Sequence, residues 1–207
     1  MDGANRCKQH RMKGASLTNP LVTARRAPIK YLSTQEIQAL FAVIRDVRDR
    51  AIFRVIYHRG LRASEVGRLN LQHYSTKINQ LYVNRLQGSY GGLYPVVNAE
   101  KEALRAWLRK RRRAPGPLFL SRNHRAISRW ALDDLMKKYC ALAGIPKSKA
   151  HVQALKHSCR AHLLMREGNI MLVKDHLGQA NPLNTPLYAP ALTRGRDQLA
   201  RRQKNWS

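Results

Sequence analysis

The sequence predicts an α+β domain that is mainly α-helical and contains one small antiparallel β-sheet. Apolar residues recur at helical spacing along most of the chain between residues 31 and 178. Residues 78–97 interrupt this pattern with two short apolar segments around a glycine-rich turn, which is typical of a β-hairpin. With 207 residues, 43% of them hydrophobic, the chain is long enough for one globular domain with a buried core.

The first predicted helix begins after Ser33. Ser33 and Glu36 have the spacing of a capping box, and Leu32 and Ile37 have that of a hydrophobic staple. The residues expected to face the core form one helical stripe: Ile37, Leu40, Phe41 and Ile44.

A second helix is predicted over about residues 47–58 and ends at Gly60, in the stretch GLRASEV. Arg62 directly follows this helix end, and residues 63–70 predict a short third helix. An arginine placed at such a turn is typical of an anion-binding position. The alternative is that Arg62 pairs with a neighbouring carboxylate such as Glu65.

The hairpin follows, with its strands in INQLYVNRL and LYPVV and its turn in QGSYGG. Asn98 is expected to cap the next helix. The last turn of that helix enters the cationic run RKRRR at residues 109–113, and Pro115 stops it.

Three further elements are predicted to be helical. Ser128 is expected to cap a helix that ends at Gly144. The next helix spans residues 152–167 and is closed by Gly168, and a shorter one lies in NIMLVKDHLGQ. The chain then ends in a basic segment.

The charge of the chain indicates its class of partner. The 39 Lys and Arg residues exceed the 12 Asp and Glu residues, which gives a net charge of +27. Such a charge favours a polyanion, most commonly nucleic acid, although RNA binding and an acidic membrane surface remain alternatives. We expect a basic flexible arm at residues 1–29, a folded domain at 30–190 and a basic C-terminal helix or tail at 191–207.

The cysteines and the hydropathy indicate in which cellular compartment the protein is expected. Cys7, Cys140 and Cys159 are too few and too scattered for a disulfide framework or a zinc site. No apolar stretch approaches the length of a membrane span, and the N-terminus lacks a signal-peptide core. We therefore expect a cytoplasmic protein that does not enter a membrane and binds no metal.

The order of these motifs resembles one known family. A helix ending in GLRASEV, a β-hairpin, a helix opening with HVQALKHSC, then HLGQ and a tyrosine nine residues after that glutamine are together similar to the tyrosine recombinase, or phage integrase, family. The resemblance covers about residues 31–190. Within the family, the chain most resembles the short recombinases that invert fimbrial promoter elements. The resemblance implies an integrase-like catalytic domain.

The resemblance implies a reaction on double-stranded DNA. In the family a tyrosine attacks a phosphodiester, which leaves a 3′-phosphotyrosyl link and a free 5′-hydroxyl. Two arginines hold the phosphate, a hairpin lysine protonates the leaving oxygen, and a histidine three residues before the second arginine assists proton transfer. No cofactor or metal is implied. A homo- or hetero-tetramer on DNA, associated with the nucleoid, is expected.

Two positions of this chain match the family pattern directly. Arg62 stands where the first arginine belongs, and Tyr188 stands at the spacing of the nucleophile. These two residues are therefore the strongest candidates for phosphate binding and for nucleophilic attack.

The other four positions depart from the pattern. The place of the hairpin lysine is occupied by Gln87, and the His-x-x-Arg element reads Gln153-Ala-Leu-Lys156. Gln179 replaces the His or Trp that follows Leu-Gly. Glutamine has no proton that titrates near neutral pH, so these glutamines cannot act as acid or base. Lys156 keeps a positive charge without the two-point grip of a guanidinium.

Other residues near the substituted positions are candidates to replace the missing acid and base. They are His151, His157, His176 and Arg85.

The residues expected to contact DNA share a positive charge: Arg62, Arg85, Arg109, Arg111 and Lys156. The alternative for the run at residues 109–113 is an ordinary solvated face.

The sequence therefore predicts site-specific DNA recombination with reduced or altered activity. The alternative is a catalytically silent DNA-binding protein that regulates an active recombinase or assembles with one. A basic RNA-binding domain is a third hypothesis, which explains the charge but not the ordered series of motifs.

Overall fold

The computed structural model describes residues 29–86, 89–111 and 114–179. Its seven helices in these ranges are α1 (Thr34–Val43), α2 (Val47–Arg59), α3 (Ala63–Val66), α4 (Asn98–Lys110), α5 (Arg129–Leu142), α6 (Val152–Glu167) and α7 (Ile170–His176). Three strands, β1 (Tyr74–Ser75), β2 (Gln80–Val83) and β3 (Gly92–Pro95), form one antiparallel sheet in the order β1-β2-β3. Short 3-10 turns cover Leu71–His73 and Lys147–Lys149. The predicted α+β fold with a small antiparallel sheet is confirmed.

Helix α2 lies at the centre of the core. It packs against α4 and α6, while α1 packs against α5. Five of its side chains are fully buried: Ala51, Ile52, Phe53, Val55 and Ile56. A smaller apolar cluster joins α6 to α7 through Cys159, Ala161, Leu164, Val173 and Leu177. The C-terminal end of α2 is thereby fixed inside the domain.

The first helix begins at the predicted cap and the second ends at the predicted glycine, whereas Ile44, expected on the stripe of the first helix, is its extended C-cap. Ser33 and Glu36 form the capping box of α1, with both reciprocal hydrogen bonds present. Gly60 ends α2 in the left-handed region at φ 57°, which an L side chain rarely adopts. A Cβ at Gly60 would also collide with the side chain of Leu177, so the turn after α2 requires glycine.

The hairpin forms where it was predicted, with shorter strands. Tyr82 pairs with Leu93, and the neighbouring pairs keep the same antiparallel register. Strand β1 was not predicted, since two residues leave no alternation to detect. The loop between β2 and β3 contacts the end of α7, where the Tyr90 amide donates to the Gly178 carbonyl over 2.6 Å. This contact brings the hairpin to the HLGQ motif.

The later helices also match, with one correction. Ser128 caps α5, and α6 spans the predicted residues before Gly168. Asn98 does not cap α4: it is the first helical residue, and the N-cap is Val97, which makes no side-chain hydrogen bond. The carbonyl of Val97 already accepts from the amides of Glu100 and Lys101, which sets the helix start one residue earlier.

No helix in the described ranges is long and apolar enough to cross a membrane. Within those same ranges, no group of His, Cys, Asp and Glu residues is arranged to hold a metal ion. The described cysteines, Cys140 and Cys159, are buried free thiols.

Candidate active site

Arg62 lies in the turn between α2 and α3, and its position is fixed by Glu65. The Arg62 amide donates to Glu65 Oε2 and its Nη1 donates to Glu65 Oε1, both over 2.8 Å. Nη1 also lies 3.4 Å from the hydroxyl of Ser89. The Arg62 side chain is 38% exposed, and its Nε and Nη2 donate to no described residue. Arg62 therefore pairs with Glu65, as the alternative interpretation expected, and its remaining donors keep anion binding a prediction.

Glu65 is the fully buried centre of this arrangement. Besides Arg62 it accepts from the Leu86 amide over 3.2 Å and from Arg85 Nη1 over 3.4 Å. Burial opposes its ionisation, but the hydrogen bonds from Arg62 and Leu86 and the charge of Arg85 outweigh burial and hold its pKa below the usual range. Glu65 is thus a permanent anion at neutral pH and joins α3 to the end of β2.

Arg85 follows β2 and is directed into the protein, with only 1% of its side chain exposed. Its Nη2 donates to the Arg59 carbonyl over 2.6 Å, and Nη1 lies 3.3 Å from the Gly60 carbonyl. These are carbonyls at the C-terminus of α2, where a cation is favoured. The structure differs here from the expected DNA contact: the guanidinium of Arg85 holds the turn that carries Arg62.

Lys156 lies on α6 and faces the same region. Burial, together with the charges of Arg62, Arg85 and Arg160, lowers its pKa to about 8 against the opposing effect of Glu65. Three cationic side chains from three parts of the chain, Arg62, Arg85 and Lys156, therefore interact with one carboxylate, Glu65, and Arg160 lies near Lys156. Such an excess of positive charge in a half-buried place favours a bound anion.

The three neighbouring histidines are poorly suited to replace a missing acid. His151 accepts the Ala154 amide at the start of α6, over 3.1 Å. Burial, together with Arg160 and Lys156, lowers the pKa of His157 to about 4. Burial also lowers the pKa of His176, whose Nε2 lies 2.8 Å from the His58 carbonyl and donates to it. His157 and His176 are therefore neutral at pH 7.

The structure describes two of the three glutamines that stand at the positions departing from the family pattern. Gln153 is exposed in the first turn of α6, three residues before Lys156 and on the same side of the helix. Gln179 is half-buried and bridges to Ser89. Gln87 and the predicted nucleophile Tyr188 lie outside the described residues.

Gly178 sets the approach of these elements. It has φ +60°, and a Cβ there would collide with the Tyr90 carbonyl. The Leu-Gly pair before Gln179 therefore allows the loop after β2 to touch the end of α7. Ser89, and through it Arg62, come close to the HLGQ motif because of this contact.

The two arginines predicted to contact DNA in the basic run have different positions. Arg109 is exposed in the last turn of α4. Arg111 is 5% exposed, and its guanidinium donates to the carbonyls of Ala114 and Pro117. Arg111 therefore closes the loop after α4, which differs both from the DNA contact expected of it and from the alternative of a solvated face.

Sequence reasoning missed three contributors to the site. Arg160 lies four residues after Lys156 on α6, a spacing that places the two on one face and was available as a signal. Ser89 is a turn residue without a distinguishing pattern. The buried pair of Arg59 and Glu100, with 2.6 Å between Nη2 and Oε2, fixes α2 to α4 and needed the tertiary structure to be seen.

Comparison with known proteins agrees with this architecture. The sequence model described as "Phage integrase family" matches residues 30–193. The chain belongs to the phage integrase family. The family predicted from the motifs is therefore confirmed, and the match covers the whole of the described site.

Individual relatives include two type 1 fimbriae regulatory proteins of Escherichia coli K12. FimE is 26% identical over 168 residues, covering 77% of this chain and 84% of FimE, and FimB is 28% identical over 166 residues, covering 76% and 82%. Tyrosine recombinase XerC 1 of Ralstonia nicotianae is 30% identical over 207 residues, covering 86% of this chain and 63% of XerC 1. The match thus takes in most of the fimbrial proteins but less than two thirds of XerC 1.

Solved structures of recombinases share the fold. The XerA recombinase superposes with a TM-score of 0.73 at 23% identity, covering 84% of this chain and 66% of that one. The XerH site-specific recombinase in a post-cleavage complex gives 0.71 at 17% identity, covering 89% and 57%. At these identities the likeness supports the fold of a recombinase catalytic domain.

Proposed function

We propose that this chain recombines DNA at specific sites by the tyrosine recombinase reaction, with an altered set of catalytic groups. The observation that carries the proposal is the cationic cluster of Arg62, Arg85 and Lys156 around Glu65. A buried carboxylate orients Arg62, while the excess cations leave the place short of negative charge. A DNA phosphodiester supplies that charge.

Each group has a chemical task in the proposed reaction. Arg62 Nε and Nη2 donate to the non-bridging oxygens of the scissile phosphate, and Lys156 adds a cation from α6. Tyr188 attacks the phosphorus and forms the 3′-phosphotyrosyl link. Gln179, beside Ser89, can donate a hydrogen bond to a phosphate oxygen. The covalent link keeps the energy of the broken bond, so rejoining needs no nucleotide.

The proposed partner is double-stranded DNA. The net charge of +27 favours duplex phosphates, and the exposed Arg109 offers one such contact. Relatives in the same fold are solved with DNA, including XerH bound to difH substrate and the Tn1549 transposon integrase bound to transposon right end DNA. A homo- or hetero-tetramer on DNA and a place among the nucleoid proteins belong to the same proposal.

One observation favours a second function, a catalytically silent DNA-binding protein. The exposed Gln153 stands where the family has a histidine, and the position of the hairpin lysine is also glutamine. Neither residue can transfer a proton at neutral pH. Such a protein would keep the phosphate site and occupy recombination sites, either regulating an active recombinase or assembling with one.

Covalent capture separates the two functions. The tagged chain and its Tyr188→Phe variant are expressed in cells, the lysates are denatured, and DNA that stays attached to the protein is sequenced. A recombinase gives adducts at a few loci with the unchanged chain and none with the variant. Tyr82→Phe, which changes a 40% exposed tyrosine on the sheet, is the matched control and keeps the adducts. Discrete non-covalent occupancy without any adduct favours the silent protein.

A further inference from the structure

The sequence of the hairpin contains no lysine or histidine that could protonate the leaving oxygen. The sequence has no lysine between Lys77 and Lys101, a range that includes the whole hairpin. Arg85 is the cation in that range, and its guanidinium is committed to two carbonyls at the end of α2 and to Glu65. A reaction in this site must take its proton from another element.

The other groups near the site are poor donors. An arginine is a poor proton donor, because a guanidinium is not deprotonated in proteins. His157 and His176 are deprotonated at neutral pH by burial and by the surrounding cations. His151 is occupied as the N-cap of α6. Lys156 is the remaining titratable cation of the described site.

We propose that Lys156 is the general acid of the cleavage step: its ammonium protonates the 5′-oxygen that leaves the scissile phosphate. The inference rests on the proposed recombinase function. It assigns to α6 the task that the family gives to the hairpin lysine. The second arginine of the family pattern is a lysine here, and the hairpin lysine is absent. The two differences then form one change, in which the proton donor moves from the hairpin to α6.

The proton balance of the step is closed. The bond between phosphorus and O5′ breaks with its electron pair on O5′, and Lys156 gives that oxygen a proton and becomes a neutral amine. The bond between the Tyr188 oxygen and phosphorus forms, and the hydroxyl proton passes to solvent. The amine stays neutral until the rejoining step, in which it accepts the proton of the attacking 5′-hydroxyl, while the tyrosine oxygen leaves phosphorus and takes back a proton from solvent.

The surroundings of Lys156 favour this exchange. It faces Arg62 at the start of α3, Arg85 after β2 and Arg160 on its own helix, with Glu65 as the opposing charge. Burial and these cations bring its pKa to about 8, close to neutral pH, where an acid both holds and releases a proton readily. A bound phosphate raises the pKa again and keeps the donor protonated before cleavage.

The test compares two leaving groups in Lys156→Arg. Duplexes are first selected for binding to Tyr188→Phe from a randomised library, a step that requires no catalysis. Each selected duplex is then made with ordinary phosphate and with a series of single 5′-bridging phosphorothiolates. A thiol has a pKa of about 8.5 and leaves without protonation, whereas an alkoxide requires an acid. Arginine keeps the charge of Lys156 but cannot release its proton.

The expected result is a selective loss. Lys156→Arg cleaves ordinary DNA about 10²–10⁴-fold more slowly than the unchanged chain, the usual contribution of a general acid, and cleaves the phosphorothiolate within about threefold of it. Lys156→Ala regains ordinary cleavage when ethylamine is added, but not when guanidinium is added. For the unchanged chain, kcat/KM on ordinary DNA falls above pH about 8.

Other outcomes overturn the inference and are distinct from failure of the function. Equal rates of Lys156→Arg and the unchanged chain on ordinary DNA, or equal losses on both substrates, make Lys156 a phosphate-binding residue only. Cleavage of the phosphorothiolate alone by the unchanged chain means that no general acid is present, although the recombinase chemistry stands. If the unchanged chain binds its selected duplex and cleaves neither substrate, the proposed recombinase activity itself fails.

Discussion

Replacing Glu65 with glutamine removes the buried negative charge that lies among Arg62, Arg85 and Lys156, while keeping the shape of the side chain. Glu65 is fully buried and accepts four hydrogen bonds, from the Arg62 amide and Nη1, from Arg85 and from the Leu86 amide. In Glu65→Gln an amide NH₂ donor replaces one acceptor oxygen and faces other donors.

The expected loss in the free energy of unfolding follows from how deeply each arginine that pairs with Glu65 is buried. Arg85 is 1% exposed, so it keeps an uncompensated charge, and breaking such a pair costs about 3–5 kcal/mol. Arg62 is 38% exposed, and water screens its half of the interaction, which adds less than about 1 kcal/mol. We therefore expect Glu65→Gln to lower the free energy of unfolding by about 3 kcal/mol.

Urea denaturation followed by circular dichroism measures this loss. With a slope of about 2 kcal/mol per molar urea, the midpoint falls by about 1.5 M. Glu102→Gln, an exposed change on α4, is the control and stays within about 0.5 kcal/mol. A loss below about 1 kcal/mol for Glu65→Gln would refute the assignment of Glu65 as the carboxylate that holds the cluster together.

Three further predictions use other features of the site. In the folded protein the pKa of Glu65 lies below its ordinary value of 4.5, so the stabilisation by this carboxylate is complete above pH about 4.5 and is lost as the pH falls through the folded pKa. The free energy of unfolding, measured over this acidic range, is therefore expected to fall less steeply in Glu65→Gln than in the unchanged chain. Gly178→Ala combines a positive φ with a collision at Tyr90 and lowers the melting temperature more than Gly168→Ala, which has φ +65° and open space around it; equal shifts would contradict the close approach. In salt titrations, Arg109→Ala weakens binding to duplex DNA and reduces the slope of affinity against salt by about one. In melting curves, Arg111→Ala lowers stability, because it leaves the carbonyls of Ala114 and Pro117 unpaired. The reverse pattern would contradict the positions assigned to the two side chains.

Local signals in the sequence predicted most of the elements. The capping box at Ser33, the left-handed cap at Gly60 and the cap at Ser128 each depend on residues within four positions of one another, and each is present. Asn98 was misplaced by one residue, because the Val97 carbonyl rather than a side chain satisfies the first turn of α4. The two-residue strand β1 gave no pattern, since its pairing with β2 is a tertiary contact.

The chemistry of the site was only partly visible in the sequence. The motif order identified Arg62 and the position of Lys156, because residue type and spacing are properties of the chain itself. The directions of Arg85 and Arg111 were not visible, and both guanidiniums turn inward to carbonyls that only the folded backbone brings within reach. A basic residue is expected to be exposed until a buried acceptor is known.

The sequence by itself determined the family, the helical α+β fold and the positive charge that calls for a polyanion, because these depend on local periodicity, motif order and composition. The tertiary structure decided which cations share one place and how burial and neighbouring charges shift the pKa of Lys156. Lys156 acquires its low pKa only when α6 brings it beside Arg62 and Arg85, more than 70 residues away in the chain, since charges act through space and burial exists only after packing.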